Sequence, residues 1–320
     1  MDNETNQPTP TEANIILEQE HARTEQQLTH EHRLQQVEHL WDDPNIHSFS
    51  FRRHSNYERD PSSGMRGALN REGIDDAKVA ANTWNTNLPE GASVSIFQSP
   101  SYQMAKELVD KETGEAREVR PMRATITASL YEKELFGDQK LDRRATDARL
   151  GDFFETATSR EGVATFFKAV GEHYGKLTPK FWKDYVERTL HGDVRESLLD
   201  AGGKDSVGLA KNVTEWLEET TTQNGGERTA DQKEVGLAVT HGETIYSFLH
   251  HASHYLEQSD LADPETLAAF RDFDPDYNEG MDVHVADDEV TVVVANKHVA
   301  AFKLPEFKKY LESIKDAPDQ

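Results

Sequence analysis

The sequence predicts an α/β protein, a three-layer αβα sandwich built on a mostly parallel sheet. Three observations carry that expectation. Short runs rich in Val, Ile, Phe and Thr alternate with longer segments of helical periodicity, the pattern of strands joined by crossover helices. The first, second and fourth of these runs end in a basic, polar or imidazole-bearing turn, and helical segments follow. A helix-patterned block of about a hundred residues separates the third run from the fourth and reads as an insertion.

Taken in order, residues 1–14 carry Pro8 and Pro10 and no apolar period, and are expected to be disordered. Residues 15–44 form an amino-terminal helical extension, its polar helix over 15–41 showing one short stripe of Leu34, Val37 and Trp41. The main domain is expected over 45–315. SFSFRR (48–53) is its first strand. A polar loop, Ser55 to Gly67, leads to a turn and a helix marked by Leu69, Gly73, Ala77 and Ala80. ASVSIFQ (92–98) is the second strand, with helix SYQMAKELV behind Ser99-Pro100. RATITAS (123–129) reads as the third strand and VGLAVT (235–240) as the fourth, with helix ETIYSFLHHASHYLE after His241-Gly242. The helical insertion is expected over about 139–200. Its apolar faces are Val163, Phe166, Phe167, Val170 and Tyr174, then Phe181, Trp182, Tyr185 and Val186. A further stripe, Leu209, Val213, Trp216 and Leu217, marks the helix returning to the sheet. MDVHVADDEVTVVVAN is a hairpin turning at Asp287-Asp288, and LPEFKKYLESIK a final helix opened by Pro305.

Composition narrows the function classes. The chain has 320 residues and no cysteine, which excludes thiolate catalysis, disulfides and cysteine-ligated metal centres. The formal net charge of -24 opposes nucleic acid and anionic membranes at long range. No apolar run approaches the ~20 residues of a membrane span, and the polar, acidic start is unlike a signal peptide, so a cytoplasmic protein is expected.

The chemistry gathers at strand ends. Ligands of open parallel sheets sit beyond the carboxyl ends of the strands. Arg53-His54, Ser99-Pro100 and Thr240-His241-Gly242 stand there, so one guanidinium and two imidazoles converge although far apart in sequence. Arginine grips phosphate oxygens through its planar fork, and a neutral imidazole is a competent nucleophile near pH 7. Arg52 is expected to form a salt bridge. His250 and His254, one helical turn apart, could reach a common metal but lack a glutamate base between them, and are read as structural.

Five segments in order resemble the histidine phosphatase superfamily, the phosphoglycerate-mutase-like proteins. Arg53-His54-Ser55 resembles the family's Arg-His-Gly. Leu69 to Ala77 resembles its Leu-Thr-x-x-Gly-x-x-Gln-Ala, and Ser99-Pro100 is similar to the opening of its Ser-x-x-x-Arg-Ala. Leu130 to Gly137 resembles its acid-bearing Leu-x-Glu-x-x-x-Gly, and Val239 to Ile245 its Val-x-His-Gly-x-x-Ile. The resemblance spans roughly residues 46–255. It implies a phosphomonoester hydrolase in which His54 forms a phosphohistidine. Arg53 and His241 would hold the phosphoryl oxygens, and Glu132 or Glu134 would protonate the leaving group. No metal or cofactor is called for. The implied partner is a phosphorylated small molecule or phosphoprotein, with no nucleic acid and no membrane.

Three departures accompany the resemblance. Ser55 replaces a glycine, and its hydroxyl is a candidate phosphate donor. Gln103 stands where the family has its second arginine, and loss of such a donor costs on the order of a hundred- to a thousandfold in rate. Arg59 or Arg66 could fill the gap. Arg123 is placed at the opposite sheet edge, because it would begin a strand. Glu132 and Glu134 are each one residue off the expected spacing. Gln103 and the polar amino-terminal helix motivate the alternative function, a catalytically impaired family member that binds a phosphorylated ligand or a protein partner.

Overall fold

A computed structural model describes residues 37, 39–57, 69–100, 123–137, 144–154, 160–223 and 233–314. Residues 1–36, Arg59, Arg66, Gln103 and the helix expected after Ser99-Pro100 lie outside the described residues.

Seven strands form one sheet: β1 (His47–Arg53), β2 (Ser93–Gln98), β3 (Arg144–Thr146), β4 (Glu234–Thr240), β5 (Gly280–Ala286), β6 (Glu289–Val294) and β7 (His298–Lys303). Their order is β3-β2-β4-β1-β5-β6-β7. The first four run parallel, and β5 turns the sheet antiparallel beside β1. Nine helices are described: α1 (Arg71–Thr86), α2 (Arg123–Phe136), α3 (Arg160–Tyr174), α4 (Pro179–Val186), α5 (Gly192–Asp200), α6 (Ser206–Gln223), α7 (Gly242–Gln258), α8 (Pro264–Asp272) and α9 (Leu304–Ser313).

Strand alternation assigns the two faces. Phe49, Phe51 and Ala238 point to one face, against Trp216 of α6, Ile245 and Phe248 of α7 and Phe307 of α9. Val235, Leu237 and Val239 point to the other, against Ala81 and Trp84 of α1 and Ala124, Ala128 and Tyr131 of α2. The result is the three-layer αβα sandwich. A separate apolar cluster joins Phe166 and Val170 of α3, Phe181 and Tyr185 of α4 and Val194 and Leu198 of α5. No helix among the described residues is long and apolar enough to cross a membrane.

One strand assignment fails. RATITAS is the start of α2, and its β-branched alternation, Ala124-Thr125-Ile126-Thr127, mimics a strand. The buried residues of that helix are Ala124, Thr127, Ala128 and Tyr131, spaced i, i+3, i+4 and i+7, and the same period runs on to the partly buried Leu135. The third parallel strand is instead the three-residue β3, inside the block read as helical insertion. Three residues carry too little pattern to register, and β7 and α8 likewise escape the sequence reading.

Candidate active site

The parallel register brings four strand ends level. Arg53 pairs with Thr240, Val239 with Gln98, and Gln98 with Thr146. Just beyond, the His54 amide donates to the Thr240 carbonyl at 2.9 Å and the Ser99 amide to the Val239 carbonyl at 2.9 Å. His54 and His241 therefore meet, with ring centroids 5.1 Å apart.

Two glycines permit close approach at this edge. A Cβ on Gly73 would lie 1.9 Å from the Asn56 carbonyl oxygen, so the start of α1 can press on the loop after His54 only with glycine there. The Asn70 side chain caps that helix by accepting from the Gly73 amide. A Cβ on Gly242 would lie 3.2 Å from Arg53 Nε, so glycine lets the guanidinium lie against the first residue of α7.

His54 is 3% exposed. Its Nδ1 stands 2.9 Å from the Ser55 carbonyl oxygen. A carbonyl only accepts, so Nδ1 carries the proton and Nε2 keeps the lone pair. Burial, with Arg123, His241 and Arg53 nearby, holds the His54 pKa well below that of free imidazole. His241 has the complementary tautomer. Arg123 Nη2, which can only donate, is 3.4 Å from Nδ1, so Nε2–H donates to Ser99 Oγ at 2.9 Å. Burial, Arg123 and Arg53 depress this pKa too.

Arg123 is thus at the site rather than at the opposite edge. It begins α2, whose amino terminus points to the carboxyl edge of the sheet. Its guanidinium lies 4.5 Å over the Tyr57 ring and 3.7 Å from Asp152 Oδ2. Arg53 mirrors it, 4.6 Å over Tyr277 and donating to the Pro275 carbonyl at 2.7 Å. Arg53 Nε is buried without a hydrogen-bond partner, a donor turned to no acceptor of the protein. Tyr57 and Tyr277 flank His54 at 5.5 and 5.9 Å between ring centroids.

Two carboxyl groups among the described residues join the site, and the sequence reading missed both. Asp152 follows a short turn held by Thr240 Oγ1, which donates to the Leu150 carbonyl at 2.6 Å, and by Thr244 Oγ1, which donates to the Gly151 carbonyl at 2.7 Å. Glu243 is in the first turn of α7. Burial raises the pKa of both, against the cation of Arg123, and Asp152 pushes Glu243 higher still. Asp152, His241 and Glu243 bring ligand atoms within 4.8 Å of one another. The Arg123 guanidinium already supplies positive charge there and repels a second cation.

The other expected residues take framework roles. Ser55 Oγ donates to the Gly73 carbonyl at 2.6 Å and accepts from Asn278 Nδ2 at 2.9 Å, so its hydroxyl braces the loop and is not free to bind phosphate. Glu132 pairs with Arg144 at 2.6 Å, and Arg144 donates to Gln98 Oε1 at 2.7 Å, bracing β2 and β3. Glu134 is half-buried beside the exposed Asn82. At 1.5 Å of rise per residue the two glutamates lie about 13 and 16 Å along α2 from Arg123. Arg52 pairs with Asp282 at 2.7 Å, as expected. Two signals could have found the missed arginine. Arg123-Ala124 supplies the Arg-Ala pair expected after Ser99, at a longer spacing, and the helical period begins at Ala124.

The sequence matches no protein-family model and no curated protein. Among solved structures the chain is similar to a phosphoglycerate mutase from Bacillus anthracis str. Sterne, at 12% identity over 85% of this chain and 99% of that one, TM-score 0.48. It is also similar to a mycobacterial glucosyl-3-phosphoglycerate phosphatase, at 16% identity over 75% and 90%, TM-score 0.40. A phosphoglycerate mutase from Plasmodium falciparum matches at 15% identity over 81% and 97%, TM-score 0.31.

Proposed function

We propose that this chain is a phosphomonoester hydrolase of the histidine phosphatase type, acting through a phosphohistidine on His54. The observation that carries the reading is the pairing of a neutral, Nδ1-protonated His54 with two arginines, Arg53 and Arg123, and a second imidazole at one sheet edge. Nε2 has the lone pair for attack on phosphorus. As the N–P bond forms, the bond from phosphorus to the leaving oxygen breaks, and that oxygen takes a proton from a carboxyl group. Asp152 or Glu243 fits this acid, because a raised pKa lets a carboxyl keep its proton to higher pH than a free one. Water then attacks the phosphohistidine, gives its proton to the carboxylate and releases inorganic phosphate and free His54. The guanidiniums of Arg53 and Arg123 offset the charge spread over the transferring oxygens, while His241 positions Ser99 through its one N–H. The position of Arg123 supports the hydrolase over the impaired, binding-only alternative on one of its two grounds, since a second arginine no longer depends on position 103.

The test is turnover of a phosphomonoester panel in chelator, beside His54→Ala, with acid-labile, base-stable label trapped on the enzyme. Turnover and label should both vanish in the variant. Equal turnover in both proteins would sink the assignment of the nucleophile, and binding of phosphate without turnover would favour the binding-only reading.

A further inference from the structure

Away from the strand ends, the α3–α5 helices carry a second cluster of ligating side chains. His173 is in the last turn of α3, His191 is the residue before α5, and Asp193 is in the first turn of α5. Each offers one ligand atom, and the three atoms lie within 4.8 Å of one another. His173 Nε2 is 3.5 Å from Asp193 Oδ2, and His191 Nδ1 is 3.9 Å from the same oxygen. Around a tetrahedral zinc with ligand bonds near 2.0–2.1 Å, neighbouring ligand atoms are about 3.4 Å apart. Both distances approach that edge.

The backbone under the cluster is fixed. The His191 amide donates to Tyr174 Oη at 3.2 Å, and Tyr174 Oη donates to Asp184 Oδ2 at 2.9 Å. Phe166 and Val170 of α3 pack with Val194 and Leu198 of α5 beneath. Two helix ends are thus held at a set separation, so binding calls for side-chain rotation and no backbone movement.

We infer that His173, His191 and Asp193 form a surface site for a divalent transition-metal cation of the zinc type, clamping the carboxyl end of α3 to the start of α5. Two imidazoles and one carboxylate suit Zn²⁺, Co²⁺, Ni²⁺ or Cu²⁺ and disfavour Mg²⁺ and Ca²⁺, which take oxygen ligands. As placed, the two rings stack with centroids 3.5 Å apart and planes 18° apart. A cation cannot lie in both ring planes of such a stack, so binding swings at least one ring out of it. All three residues are exposed, and that rotation meets little resistance. The net charge of -24 raises the local concentration of cations at such a surface. A water molecule would take the fourth position. The site does not depend on the proposed hydrolase activity.

The experiment titrates the full chain, first stripped with chelator, with Zn²⁺ alone in a calorimeter. The same titration is run on His173→Ala/His191→Ala and on Asp193→Asn. One zinc per chain should be lost in the double variant and bind at least tenfold more weakly to Asp193→Asn. Zinc at a hundredfold excess over Kd should raise the wild-type Tm by about 5 °C, and this rise should disappear in the double variant. Co²⁺ should give the wild type, and not the double variant, the visible absorption of a tetrahedral site. No zinc bound by the wild type would overturn the inference. So would unchanged stoichiometry and affinity in the double variant, which would move the metal elsewhere, with Asp152, His241 and Glu243 the next cluster to examine. Asp193→Asn keeps the test decisive if the double variant folds poorly.

Discussion

Replacing Arg123 with alanine separates the roles this residue holds at once. Its Nη2 lies 3.4 Å from His241 Nδ1 and 3.7 Å from Asp152 Oδ2, and its cation also depresses the pKa of His54. Loss of one preorganised donor to a transferring oxyanion costs about 2.7–4 kcal/mol, which is roughly a hundred- to a thousandfold in kcat. Coulomb's law gives the same scale: unit charges about 4 Å apart at an effective dielectric near 20 interact by about 4 kcal/mol. A pH effect should accompany the rate loss. Without the cation, His54 and His241 protonate more readily, so the acid limb of kcat/KM moves to higher pH. The carboxyl groups of Asp152 and Glu243 also hold their protons to higher pH, so the basic limb moves the same way. Arg123→Lys should restore part of the rate and most of the limb positions, because it keeps the charge without the fork. The assay is a pH–rate profile of kcat/KM on a phosphomonoester, with Tm measured alongside. Arg123 is at the first residue of α2 and partly exposed, so Tm should change little. Rates within threefold of wild type in Arg123→Ala, with unshifted limbs, would refute the assignment.

Further outcomes follow from the same geometry. Asp152→Asn or Glu243→Gln should cost on the order of a hundredfold or more in turnover of substrates with poor leaving groups. Glu132→Gln and Glu134→Gln should stay within threefold, and comparison of kcat across the four variants checks this. Ser55→Ala leaves the Asn278 amide and the Gly73 carbonyl without their buried partner and should lower stability by about 1–3 kcal/mol in urea, with KM for phosphomonoesters nearly unchanged. A KM raised tenfold would instead make the hydroxyl a phosphate donor. Acid should destabilise the fold through buried imidazoles. His250 and His284 are held down to about 4 and His251 to about 3, mainly by burial. Their folded pKa values lie below the unfolded value near 6.5, so the unfolded chain binds protons first, and stability falls from about pH 6.5 down towards pH 4 and 3. Urea midpoints at pH 7 and pH 5 should differ by the equivalent of a few kcal/mol, and a flat response would contradict the burial of these rings.

The local pattern along the chain determined much of this protein. β1, β2, β4, the β5–β6 hairpin and the helices α1, α3, α4, α6, α7 and α9 follow from apolar periods and breaker residues within single segments. Arg53, His54 and His241 are legible for the same reason, since each adjoins a strand end and parallel strands align their carboxyl ends. Tertiary structure decided what depends on partners distant in sequence. Arg123 reaches the site because Ala124, Thr127, Ala128 and Tyr131 bury as a helix against β4 and β2, a choice that the β-branched residues of the segment oppose locally. Asp152 and Glu243 owe their raised pKa values to burial, and Glu243 also to Asp152, and neither sits in a spacing that marks it. Ser55 and Glu132 look available in the sequence, and only folding brings them the acceptor and the cation that engage them, the Gly73 carbonyl for Ser55 and Arg144 for Glu132. Local periodicity encodes which face of an element is buried, whereas the charge state and hydrogen-bond partners of a side chain are set by what the fold puts beside it.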